Sequence, residues 1–440
     1  MLKIYDVKTA RQSILKRQPL EDAPISRSTS ERIEKMFGET LSPAQVVDRI
    51  LEDVRQRGDP ALVEWTQKLD SPAMNSLKVP PEAMLSAWNG LSEELRQALT
   101  LSAERVRQFH QAQPVTSWLS QSMGGTLGQL VRPIRRVGLY IPAGTAPLPS
   151  TLIMSAVPAQ VAGVPEIVLV TPPQRATGQV DPLILATAHL LGIQEIYAVG
   201  GAQAISALAF GTQSIRPVDK IFGPGNIFVT LAKRKVFGLV GIDSMAGPTE
   251  TVIIADESAN PEWVAADLLA QAEHDFLAAG ILLSPSLGLI EAVQSAVARQ
   301  LEERRRRAIL DVSLAGRSGA VLTASLDEAV ALANQYAPEH LCLSVKDPWE
   351  LTPKITAAGG IFVGEHSFEV LGDYIAGPSH VMPTGGSARF NSPLNVLDFI
   401  HIISLVALDP ATTQKIAPAA AVMARAEGLD GHANAAQVRL

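Results

Sequence analysis

Gln271 with His274, adjacent Glu339 and His340, Asp373 beside a glycine, and Glu427 with His432 are the side chains of this sequence best suited to chemistry. Gln271 and His274 close the segment PEWVAADLLAQAEH (261–274), where Val264, Leu268 and Gln271 recur at i, i+4 and i+7. An apolar stripe that should face a core thus ends in an amide and an imidazole. Buried polar groups need partners, since an unpaired one costs about 1–3 kcal/mol. A hydrogen-bonded pair at a helix terminus meets that need on its own. So does a divalent cation, which the negative end of the helix dipole favours. Zinc takes nitrogen and oxygen ligands, and its catalytic sites combine His with carboxylate while leaving room for substrate. His274, His432, Asp373 and Gln271 would supply such a set, but spacing alone does not bring residues 271 to 432 together.

The elements around these groups are more regular. TVIIAD (251–256) predicts a strand; Asn260 is placed to cap the helix that follows, with Pro261 at its first position. APEHL (337–341) sets Glu339 and His340 at the mouth of a strand, GDY (372–374) sets Asp373 in a glycine-rich turn, and SH (379–380) follows. From 132 onward short apolar runs alternate with helical patterns: VGLYI, EIVLV, EIYAV and DKIF, then TVIIAD, ILLSP, GAVLT, HLCLSV and GGIFVG. Such alternation predicts an α/β fold of two Rossmann-like, doubly wound parallel-sheet domains. The domains are placed at 132–244 and 245–390. A helical N-terminal region, 1–131, is expected to pack with the second unit. Residues 391–440 read as an extended arm and two helices separated at Gly428, a tail that must dock on this subunit or another. Turns after strands carry VGGAQ (199–203) and FGPGN (222–226), ending in Gln203 and Asn226. Neither is a GxGxxG fingerprint, because Phe228 takes the third glycine position.

Composition bounds the function. The 440 residues are 47% hydrophobic and 18% charged, which describes a compact chain with substantial cores. A net charge of −7 argues against general nucleic-acid binding, and RRRR (304–307) reads as a solvated helix end beside Glu302 and Glu303. One cysteine, Cys342, excludes an intrachain disulfide and a cysteine zinc cluster. The N-terminus lacks a signal-peptide core and no apolar run reaches the ~20 residues of a membrane span, so a cytoplasmic location is expected. His110, at a helix end, is expected on the surface, and His189, inside an apolar helix, at the core or its boundary.

Nine motifs in order, RPIRRVGLYIPAG, APLPSTLIMSAVPAQVAGVPEIVLVTPP, GGAQAI, DKIFGPGN, AGPTE, LLAQAEH, YAPEHL, LGDYIAGPSHVMPTGGSARF and EGLDGHANA, resemble the histidinol dehydrogenase family. The resemblance runs from about residue 130 to the C-terminus and more loosely over the helical N-terminal third. It implies a zinc-dependent homodimer that oxidises L-histidinol to L-histidine through the aldehyde with two NAD. By the same resemblance zinc is held by Gln271, His274, Asp373 and His432, the last from the partner subunit. NAD lies against Tyr140, Gln203 and Asn226. Substrate touches Thr249, Gln271, His274, His340, Asp373, His432 and Glu427, which also crosses the dimer. Glu339 activates water and His340 moves protons.

This sequence departs from the family pattern in having Thr249 for serine, Ala143 for glycine, and no basic residues in FIHIISLV, where His401 is incidental. Cys342 would share a strand face with His340, so a His-paired thiolate is conceivable; a structural cysteine in an apolar strand is the favoured reading. Two alternatives remain. One is a related NAD-dependent dehydrogenase of another small alcohol such as a sulfonated diol, against which Glu427, suited to an ammonium group, counts. The other is a non-catalytic zinc- or nucleotide-binding protein, against which Glu339 and His340 count.

Overall fold

Valine- and isoleucine-rich runs flanked by helices form strands buried on both faces. The computed structural model describes residues 2–17, 27–143, 147–245 and 247–440, so Gly144, Ala146 and Ala246 of the IPAG, APLPS and AGPTE motifs lie outside the described residues. In chain order the strands are β1 (Ile4–Asp6), β2 (Trp118–Ser120), β3 (Thr126–Pro133), β4 (Arg136–Tyr140), β5 (Glu166–Thr171), β6 (Glu195–Ala198) and β7 (Lys220–Phe222). They continue with β8 (Gly241–Ile242), β9 (Glu250–Ala255), β10 (Ala279–Ser284), β11 (Gly319–Leu322), β12 (His340–Ser344), β13 (Gly360–Val363) and β14 (Ile400–Ala407). One parallel sheet has the order β6-β5-β4-β7-β8, and the other β1-β11-β10-β9-β12-β13. Apart from the edge strand β1, both repeat the 3-2-1-4-5 winding of a Rossmann-like domain. In the second sheet β12 lies beside β9, with His340 opposite Thr251 and Cys342 opposite Ile253.

The N-terminal region is divided between the two units. Residues 2–17, with β1 and the helix Val7–Gln12, join the second, where Ala10 and Ile14 enter its core. The helices Pro43–Arg57 and Asp59–Leu69 pack instead on the first sheet, with Val47, Ile50, Val54 and Leu62 against Val168, Ile205 and Leu208. Pro81–Asn89 and Glu93–Gln111 cover its other side, with Met84 and Val106 against Leu152 and Ile184. This corrects the expectation that 1–131 packs with the second unit. An amphipathic stripe fixes which face of a helix is buried, not what buries it.

A third, antiparallel sheet of order β14-β3-β2 carries the start of the tail. Phe399 stacks on Phe222 at 4.1 Å between centroids, and Lys220 Nζ donates to the Asp398 carbonyl (2.7 Å), anchoring β14 to the first domain. Beyond it the helices Pro410–Ala426 and Asp430–Gln437 pack chiefly on one another. Their Val422, Met423 and Val438 stand exposed, as do Ile402 and Val406 of β14. Among the described residues no helix is long and apolar enough to cross a membrane.

Candidate active site

The helix Pro261–Ala272 begins as its sequence dictates, with Asn260 accepting from the Glu262 N–H and Pro261 at the first turn. Its far end brings Gln271, fully buried, to the amino edge of the second sheet, where β9 and β12 begin. Glu339 stands just before β12, and its Oε2 accepts from Thr249 Oγ1 (2.6 Å) and the Glu250 N–H (3.1 Å). The Gln271 amide is satisfied with its nitrogen donating to Glu369 Oε1 (2.5 Å) and its oxygen accepting from Thr249 Oγ1 and the Glu250 N–H (2.7 Å each). Thr249 has one proton to give, so it serves either Glu339 or Gln271 at a given moment. Burial pushes the Glu339 carboxyl up to about 7; the His340 charge and the hydrogen bonds from Thr249 and Glu250 oppose that rise. A carboxyl poised there suits a general base.

His340 is buried, and both its ring nitrogens lack a hydrogen-bond partner. Three carboxylates surround it: Glu369 Oε1 at 3.6 Å and Glu339 Oε2 at 3.8 Å from Nδ1, and Asp373 Oδ1 at 3.9 Å from Nε2. Burial holds the His274 pKa low, with the nearby Asp373 charge opposing and His340 assisting. Glu369 is raised well above the usual range, by burial first and then by the Asp373 charge. Asp373 does not sit in a glycine-rich turn, as its sequence suggested, but in the short helix Glu369–Tyr374. Gly372 packs there: a Cβ would lie 2.5 Å from Phe362 Cε1. The cluster also lies at the amino ends of β9 and β12, opposite the edge where parallel sheets usually bind ligands.

Tyr140, Gln203 and Asn226 gather at the carboxyl edge of the first sheet, where its winding reverses between β4 and β7. Gly223 follows β7 at φ 117°, and a Cβ there would stand 2.0 Å from the Tyr140 carbonyl oxygen, so only glycine fits. The Tyr140 hydroxyl accepts from the Gly201 N–H (3.3 Å). Gln203, fully buried, donates to Asp70 Oδ2 (2.9 Å), while its Oε1 has no partner. Asn226 caps the helix Ile227–Val236 through the Phe228 and Val229 N–H groups. Two helix N-termini therefore meet at this crevice, a setting suited to phosphate.

Lys233 secures the crevice from below. Its Nζ donates to Gly223 O (3.0 Å) and Ser244 O (2.9 Å) and pairs with Asp243, whose other oxygen accepts from the Gly223 N–H (2.7 Å). Both side chains are buried. Truncating one partner of such a pair typically costs about 3–5 kcal/mol. Lys233→Met is therefore expected to lower the thermal unfolding midpoint by several degrees in calorimetry, and an unchanged midpoint would remove the pair from the account of stability.

The family model described as histidinol dehydrogenase matches residues 37–440. The chain is 55% identical over 419 residues to the histidinol dehydrogenase of Deinococcus radiodurans, covering 95% of each chain. It is 50% identical over 396 residues to that of Moorella thermoacetica, covering 89% of this chain and 93% of the relative. The crystal structure of histidinol dehydrogenase from Elizabethkingia anophelis superposes with a TM-score of 0.91 at 36% identity, covering 100% of this chain and 98% of that one. The chain belongs to the histidinol dehydrogenase family.

Not every residue that the histidinol dehydrogenase resemblance assigns to the site meets the others within one chain. Glu427 and His432 are exposed in the tail. Among the described residues no three His, Cys, Asp or Glu side chains converge as a metal set. Cys342 is buried, and burial, with Glu369, Asp267 and Asp373 nearby, pushes its thiol well above the usual range, away from a reactive thiolate. Three participants escaped the sequence reading or were left without a role. Glu369 accepts from Thr251 Oγ1 and from Gln271. His380 bridges the Asp373 carbonyl oxygen (2.7 Å) and Thr151 Oγ1 (3.2 Å). Asp70 receives Gln203 and the Gly200 N–H (3.2 Å), and burial raises it to about 6. Only His380 carried a visible signal, in the SH that follows Asp373.

Proposed function

We propose that this chain oxidises L-histidinol to L-histidine by way of L-histidinal, with two NAD and one water, as the last step of histidine biosynthesis in the cytoplasm. It acts as a homodimer whose tails complete each other's sites. One observation carries the reading: the buried, unpartnered imidazole of His340 stands 3.8 Å from the raised carboxyl of Glu339, beside Gln271 and Asp373.

The donor types fit zinc, which takes nitrogen and oxygen ligands. Gln271, His274 and Asp373 would hold it, with His432 of a second copy as the fourth donor, and burial keeps His274 in the neutral form a ligand needs. Zinc bound there supplies a charged template for the imidazole and amino group of the substrate. Tyr140, Gln203 and Asn226 would hold NAD, two molecules of which in turn would supply the hydride acceptor, one for each oxidation. Thr249 and Glu427 add substrate contacts. In the first oxidation His340 takes the hydroxyl proton as the carbon–hydrogen bonding pair departs, leaving the aldehyde. Glu339 then removes a proton from water as its oxygen bonds to the aldehyde carbon, while His340 returns its proton to the carbonyl oxygen, giving the hydrate and leaving the imidazole free to accept again. In the second oxidation the hydrate loses a hydride and a hydroxyl proton, the latter to His340, and becomes the acid.

The purified enzyme is expected to form two NADH per histidinol, to lose activity with a chelator and to recover it with zinc. A ratio of one, or turnover of another alcohol such as a sulfonated diol in place of histidinol, would overturn the assignment.

A further inference from the structure

Ala337, two residues before Glu339, is the only non-glycine residue with positive φ among the described residues, at φ 51° and ψ 66°. The turn it forms ends the helix Leu326–Tyr336 and delivers Glu339 and His340 to the edge of the sheet. A left-handed alanine persists only where its surroundings hold it. One side chain from the far end of the chain braces it. Arg17 donates from Nε (3.0 Å) and Nη2 (2.5 Å) to the Tyr336 carbonyl, and from Nη2 to the Ala337 carbonyl (3.2 Å). Its guanidinium carbon lies 3.6 Å from the Tyr336 ring centroid, and its Nη1 pairs with the buried Glu250. Glu250 in turn gives its backbone N–H to the Glu339 carboxyl. Both backbone ties of Glu339, the turn before it and the strand beside it, therefore meet at one guanidinium. The planar fork serves two carbonyls, a carboxylate and a ring face together, which an ammonium group does not.

We propose that Arg17 is a positioning residue for the reaction, locking the Ala337 turn to Glu250 and so setting where Glu339 and His340 stand. The inference rests on the reading of these two as the proton-transfer pair. Arg17 does not line the site. Its loss should therefore lower kcat while leaving the binding of NAD, and of histidinol through its contacts other than His340, close to normal. A displacement of about 1 Å in a catalytic group can lower the rate about 10²-fold.

The test compares the full-length wild-type, Arg17→Ala and Arg17→Lys enzymes in kcat, in KM for histidinol and NAD, and in melting temperature. Arg17→Ala is expected to lose about 10²-fold in kcat with both KM values within about twofold and the fold intact. Guanidinium at sub-denaturing concentration should restore part of kcat, because the Arg17 side chain is 28% exposed and its place can be reached from solvent. Should Arg17→Ala fail to fold, Arg17→Lys decides, since it keeps a charge beside Glu250 but no fork. A loss of kcat on the order of tenfold, about 1.4 kcal/mol in the barrier, with an unchanged melting temperature supports the inference, and wild-type kcat overturns it. Arg17→Ala that folds and retains kcat, or loses it only through raised KM, also overturns it. The functional reading fails separately: wild-type enzyme that makes no NADH from histidinol, or Glu339→Gln and His340→Asn enzymes that retain kcat, sinks that reading and this inference together.

Discussion

Mixed with histidinol and NAD in a single turnover, the Glu339→Gln enzyme should release NADH from the alcohol step in its fast phase and stall short of the full two equivalents. Glutamine keeps the size of Glu339 and can still accept from Thr249 and the Glu250 N–H, so the cluster should survive. What it cannot do is take a proton from water. Loss of a general base typically costs about 10²–10⁴-fold, enough to separate the two oxidations in time. His340→Asn should instead slow the alcohol step, because that imidazole is the free, buried base among the carboxylates. The pH dependence has a definite sign. With Glu339 raised to about 7, it is protonated and idle below that pH and able to accept above it, so aldehyde oxidation should rise through neutrality. Glu339→Gln should abolish that rise. Cys342→Ala should behave nearly as wild type, since its thiol is held protonated within the core. If Cys342→Ala stops aldehyde oxidation and spares the alcohol step, the thiolate takes over the role given to Glu339.

The sheets were legible in the sequence because a buried parallel strand announces itself locally, as a short apolar run between helices. TVIIAD, HLCLSV and EIVLV all became strands close to their expected bounds. Pairing over long separations was not legible. β14 read as an extended arm because its partner β3 lies more than two hundred residues earlier, and an isolated antiparallel edge carries little periodic signal. Side-chain types marked Gln271, His274, Glu339, His340 and Asp373, yet not which edge of the sheet they would share. Gly372 suggested a turn and is instead a close contact with Phe362.

The two lone histidines show the same limit. His110 was expected on the surface and is buried, with Nδ1 3.2 Å from the Gln113 side-chain oxygen that also receives the Val396 N–H of the tail. His189 was expected near the core and is exposed, its ring 6.1 Å from that of Trp88. Contacts from distant parts of the chain decide such positions. Arg105 is a further case: it donates from a first-domain helix to the Ile375 carbonyl (2.7 Å), steadying the end of the helix that carries Asp373.

Two inactive variants should produce an active enzyme when mixed. Within one chain His432 and Glu427 are exposed on the tail hairpin, and among the described residues they complete no metal-binding group with His274 and Asp373, so the proposed ligand set calls for a tail from elsewhere. The exposed Ile416, Val422, Met423, Leu429 and Val438 of the same hairpin need cover, and a second copy of the chain is the occupant that would also deliver His432. His432→Ala removes the delivered ligand and His340→Ala the resident base, so each homodimer should be nearly inactive. In a mixed dimer one site combines the His340 of one subunit with the His432 of the other and is fully wild type, while the other site carries both losses. After statistical exchange half of the dimers are mixed and each has one working site of two, so activity should reach roughly a quarter of wild type. Native mass spectrometry verifies the exchange independently of activity. No recovery in a sample shown to contain mixed dimers would place each tail on its own subunit and require the hairpin to fold back onto the second domain.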